Sequence, residues 1–141
     1  MDKLKEYEEF YGNISFSILF IDPENKFDLK SYLGYCPGKN ILYIDLSEVK
    51  NEDYKSIGSE LAANKYDGVM FDNIDEIPRI KDREDWRFLV KYALKKEEIP
   101  LVYPLKGEIK FHDLITAVRC KNLPDYIDTR IINGIILNLK P

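Results

Sequence analysis

The run Asp67-Gly-Val-Met-Phe-Asp-Asn-Ile-Asp-Glu-Ile-Pro-Arg79 constrains the fold more than any other stretch of this chain. It reads as a short apolar strand that delivers carboxylates at its C-terminal end, the end at which open α/β sheets gather their polar chemistry. Asp72 closes the strand, and Asp75 and Glu76 follow within the next turn before Pro78.

Similar runs recur on either side. Ile14 to Ile21 is apolar and rich in β-branched and aromatic residues, a profile for a strand buried on both faces of a parallel sheet. Asn40 to Leu46 repeats it, Ile99 to Leu105 supplies a fourth strand with Pro100 and Pro104 near its ends, and Ile131 to Leu139 supplies a fifth containing Gly134. Helical spacing fills the intervals. Leu4, Tyr7, Phe10 and Tyr11 share one face of an N-terminal helix that Gly12 and Asn13 stop. Phe27, Leu29 and Leu33 suggest a short helix closed by Gly34; Asn51 caps a helix carrying Tyr54, Ile57 and Leu61. Asp82 to Lys95 is the clearest helix, with Trp86, Leu89, Val90, Ala93 and Leu94 on one stripe, and Phe111, Leu114, Ile115 and Val118 mark another. The alternation predicts one α/β domain over residues 1–141, a three-layer sandwich around a mostly parallel five-stranded sheet.

Composition narrows the function classes. With 141 residues the chain holds one core rather than two. A net charge of −4 with both signs interspersed argues against a surface built to neutralise phosphate backbones, so nucleic acid is not an expected partner. Cys36 and Cys120, with a single histidine in the chain, show neither metal-ligand spacing nor a disulfide framework and read as reduced, partly buried thiols. The N-terminus lacks the apolar segment of a secretory signal and no run reaches membrane-span length, so a cytoplasmic location without membrane contact is expected.

The order of these features resembles the core of the AAA-type P-loop ATPases, from Ile14 to the end of the chain. ILFI corresponds to the first strand before the phosphate loop, KNILYIDLSEV to the second, VMFDNIDEIP to the Walker B strand with its acidic extension, and IPLVYPL to the strand ending in the first sensor. KNLPDYIDTRIINGIILNL is similar to the segment that leads into the fifth strand, which puts Arg130 at the arginine-finger position. The resemblance implies a P-loop NTPase-like fold, magnesium at Asp72, and a nucleotide beside Lys26 and Asp28.

The departures matter as much. A phosphate loop uses glycines so that successive amides converge on phosphate, a lysine for charge and a hydroxyl for magnesium. Here Ile21-Asp22-Pro23-Glu24-Asn25-Lys26-Phe27-Asp28 has no glycine, places Lys26 one position early and puts Asp28 where the hydroxyl belongs. Asn73 stands where the water-polarising carboxylate belongs, and an amide does not serve as a base. The chain also ends directly after the fifth strand, so the helical lid of an active module is expected to be missing. The expectation is therefore a non-hydrolysing, degenerate domain that acts through an unidentified protein partner, with magnesium and ATP bound weakly or not at all.

Two alternatives stand beside it. Asp72, Asp75 and Glu76 form a candidate metal cluster for a phosphate-handling enzyme, with Lys26 and Lys106 holding the phosphate and Arg130 a further catalytic candidate. The chain also resembles a response-regulator receiver, with Asp22 and Asp72 as acids and Lys140 near the end, although Tyr103 and Pro104 occupy the place of the hydroxyl. Self-association through Arg130 is a third expectation. Plainer roles exist for each residue: solvated acids at a strand end, a local pair of Arg130 with Asp125 or Asp128, a surface His112, a solvated face of Lys106, Lys110 and Lys121, and tyrosines that pack the core and rim.

Overall fold

The computed structural model describes residues 16–30, 38–50, 53–100 and 107–139. Strands β1 (Ser17–Ile21), β2 (Ile41–Asp45), β3 (Gly68–Asp72), β6 (Ile115–Cys120) and β7 (Gly134–Asn138) form one parallel sheet in the order β2-β3-β6-β1-β7. A separate antiparallel pair joins β4 (Glu98–Pro100) to β5 (Glu108–Lys110). Helices α1 (Asp53–Ala62) and α2 (Arg83–Lys95) connect the strands, with a 3-10 turn over Ile74–Arg79 after β3.

Burial on both faces explains the central strands. Leu19, Val69, Phe71 and Val118 face the main core with Trp86, Leu89, Val90, Ala93 and Leu94 of α2 and Leu61 of α1. Ile18, Phe20, Met70, Ala117 and Leu137 face the opposite side, where Phe27 and Leu29 cover them. The period-2 alternation assigns each residue to its face. Both helices therefore pack on one face among the described residues. The predicted N-terminal helix, Leu33 and Gly34 lie outside them, as does Asn51.

α2 forms where its stripe predicts. Glu84 and Asp85 sit in the first turn and Lys95 in the last, matching the helix dipole. Five buried side chains anchor it, each fully buried large one contributing about 1.5–3 kcal/mol. Lys96 ends the helix in the left-handed conformation, φ 59°, and its N–H reaches back to Ala93 and Tyr92 carbonyls.

The C-terminal half corrects three expectations. Of the fourth strand expected over Ile99 to Leu105, Ile99 and Pro100 pair in the small antiparallel sheet instead of the five-stranded one, and residues 101–106 lie outside the described set. The fourth strand is Ile115–Cys120, where a helix over Phe111 to Val118 was expected; only Phe111–Asp113 makes a 3-10 turn. The spacing of Phe111, Leu114, Ile115 and Val118 fits a helix, but a run buried on both faces imitates that spacing, and Ile115–Cys120 is buried throughout. The last strand is also shorter than expected, Gly134–Asn138, because Thr129–Ile131 forms a 3-10 turn first. Gly134 is needed there, since a Cβ would lie 1.9 Å from the Ser17 carbonyl oxygen.

Candidate functional site

The polar centre of the molecule lies at the C-terminal ends of β3, β6 and β1, three neighbouring strands. The chain leaves β1 towards β2 on one side and leaves β6 towards β7 on the other. These opposed connections create a topological switch point, the position where open α/β sheets place a crevice. Phe20 pairs with Arg119 and Phe71 with Val118, so the register sets Arg119 between Asp22 and Asp72 on the face opposite the helices.

Arg119 is the hub. Its side chain is 7 % exposed, beside Asp72 at 4 % and Asp22 at 2 %. Nε donates to Asp72 Oδ1 at 2.5 Å, and Nη1 donates to Asp22 Oδ2 at 3.3 Å and Asn25 Oδ1 at 2.5 Å. Nη2 donates to Asn73 Oδ1 at 2.7 Å. Burial by itself would lower the pKa of the guanidinium, but the hydrogen bond and charge of Asp72, followed by Asp22, raise it above its usual value. The fork geometry of arginine suits this role, serving several acceptors from one planar cation.

The acceptors are themselves committed. Asp72 Oδ1 also takes the Asn73 N–H at 2.8 Å, and Oδ2 takes the Tyr43 hydroxyl. Burial and that hydrogen bond push the Tyr43 phenol well above its ordinary pKa. Asn73, in the left-handed conformation with φ 55°, uses its amide in both directions, accepting from Arg119 and donating Nδ2 to Asp45 Oδ1 at 2.8 Å. Burial would raise the Asp45 pKa, but hydrogen bonds from Asn73 and Ser47 outweigh it and hold the carboxyl below its usual range.

The sequence-predicted residues divide. Asp72 sits in this network, and Lys26 and Asp28 lie on the loop that borders it. The Lys26 backbone N–H donates to Asp22 Oδ1 at 3.2 Å, while its exposed ammonium pairs with Glu24 at 2.5 Å. Asp28 accepts from the Lys30 N–H at 3.1 Å. Asp75 turns to the loop after β6, accepting the N–H groups of Lys121 at 2.6 Å and Asn122 at 3.2 Å. Glu76 pairs with Arg79 at 3.5 Å. Among the described residues, no group of three His, Cys, Asp or Glu side chains is placed to hold a metal ion. Arg130 is 87 % exposed and pairs with Asp128 of its own turn, which lowers that carboxyl to about 2. His112 is exposed beside Asp113, and Lys106 lies outside the described residues.

Arg119, Tyr43, Asp45 and Asn25 were not singled out from sequence. A signal existed for Arg119: Ile115, Ala117 and Arg119 alternate with Thr116, Val118 and Cys120, and β-branched residues favour a strand. The helical spacing of the same residues hid it. No family model and no curated protein sequence matches this chain.

Proposed function

We propose that this chain is a non-hydrolysing, degenerate relative of the AAA-type P-loop ATPases that acts through protein contacts and binds nucleotide weakly or not at all. The observation that carries the reading is the Arg119 guanidinium against Asp72. In an active member the corresponding aspartate serves magnesium; here one oxygen faces Arg119 and the Asn73 amide, and the other faces Tyr43. As arranged, the donor set does not fit a magnesium-bound phosphate. Asn73 is equally committed, with both ends of its amide used, so it neither accepts a proton from water nor orients one.

The order of the strands supports the fold-level part of the reading. The fourth strand of the sheet stands between the first and the Asp72-bearing third. The flavodoxin-like order 2-1-3-4-5, used by receiver domains, puts the first strand between the second and third instead. Protein contact is supported by the surface of α2: Phe88 is 53 % exposed and stacks on Tyr92, while Ile131, 39 % exposed, borders a shallow groove lined by Lys91, Leu94 and Ile127.

Isothermal titration calorimetry with magnesium and ATP tests the reading, run on the wild type and on Asp72→Ala. The expected result is no heat of binding at millimolar ligand. Magnesium-dependent ATP turnover that Asp72→Ala abolishes would overturn it.

A further inference from the structure

The loop after β1 builds an anion cradle and fills it from within. Asp22, 1 % exposed, is pinned by its own N–H to the Cys120 carbonyl at 2.8 Å. Asn25 then adopts the left-handed conformation, φ 53°, which turns the next two amides inward. The Lys26 N–H meets Asp22 Oδ1 at 3.2 Å, and the Phe27 N–H meets Oδ2 at 2.7 Å. Nη1 of Arg119 closes the third side at 3.3 Å from Oδ2. Consecutive backbone donors in a turn of this kind form a concavity for anions, and a guanidinium beside them is the strongest available charged donor.

We propose that Asp22 is a tethered surrogate anion that occupies an oxyanion site made by the Lys26 and Phe27 amides and Arg119, and so keeps free oxyanions out. A covalently held carboxylate competes at high effective concentration, so the site's affinity for a free oxyanion is hidden in the wild type. The inference rests on the proposed correspondence of this loop to a phosphate loop, and it names the residue that closes it.

Formate is the probe, because it restores the carboxylate that Asp22→Gly removes. In thermal melts against equimolar sodium chloride, formate at about ten times its Kd is expected to raise the melting temperature of Asp22→Gly by roughly 3–6 °C, saturably. The Lys26 and Phe27 amide resonances shift with the same Kd. Wild type and Asp22→Asn, whose side chains still fill the cradle, respond to formate as they do to chloride. Coincident formate and chloride curves for Asp22→Gly, or an equal formate effect on the wild type, would overturn the proposal. So would a variant unfolded in chloride that stays unfolded in formate. ATP turnover by the wild type would remove the functional reading and leave this result standing, so the two failures are separable.

Discussion

Arg119→Met is the substitution with the largest expected effect, because methionine fills much of the same volume and removes only the charge and the donors. The variant leaves Asp72 and Asp22 buried on either side of the methionine without a cation, and Asn25 and Asn73 without their shared donor. Deleting one partner of a buried ion pair costs about 3–5 kcal/mol, mostly the penalty of the charge left behind. In a chain of 141 residues that corresponds to a fall in melting temperature of roughly 10–20 °C. Urea titration followed by circular dichroism reads the loss directly. The triple variant Arg119→Met with Asp22→Asn and Asp72→Asn removes the stranded charges, and about half the loss is expected to return. A cost below about 1 kcal/mol for Arg119→Met, or no recovery in the triple variant, would refute the claim that the guanidinium balances both carboxylates.

Lys96 gives a pH dependence. Burial lowers its pKa to about 8, the Asp113 charge opposing this, while Nζ donates to the Leu114 carbonyl and to Thr116 Oγ1 at 3.1 Å. The unfolded chain binds the proton more tightly than the folded one above pH 8, so stability is expected to rise by about 2 kcal/mol between pH 7.5 and 9.5. Urea midpoints across that range check it, and Lys96→Met should flatten the profile. Gly134→Ala forces a Cβ against the Ser17 backbone, 1.9 Å from its oxygen, and is expected to cost about 3 kcal/mol through the β1–β7 pairing; a change under 0.5 kcal/mol in the melting analysis would show that the strands separate without penalty. Burial and the Asp75 charge push the Cys120 thiol up to about 12. In a Cys36→Ser background, a thiol reagent at pH 8 should therefore label the native protein negligibly within the time that labels it fully in urea.

The sequence alone determined the local elements whose patterns have one reading. The stripe of Trp86, Leu89, Val90, Ala93 and Leu94 has the three-and-four spacing of a helix and not the alternation of a strand, and α2 follows it. Ile14 to Ile21 is apolar and rich in β-branched and aromatic residues, so a strand buried on both faces was legible there, and Gly68–Asp72 was legible as a short apolar strand. The choice of Asp72 as a member of the polar centre came from the same source, since a carboxylate at the end of such a strand emerges at the sheet's edge.

Only the tertiary structure decided what Asp72 meets. Ile115–Cys120 carries two compatible periods over its few apolar positions, and the competition was settled by a vacancy in the sheet between β1 and β3 that a buried strand fills and a helix does not. That placement brings Arg119 beside residues 47 and 97 positions away. Spacing along the chain carries no information about such pairings, because register and strand order, set by the packing of both faces, bring the partners together. The same reason explains why Asp75 and Glu76, though close to Asp72 in sequence, turn to other partners: the 3-10 turn after β3 carries Asp75 to the loop after β6 and leaves Glu76 paired with Arg79.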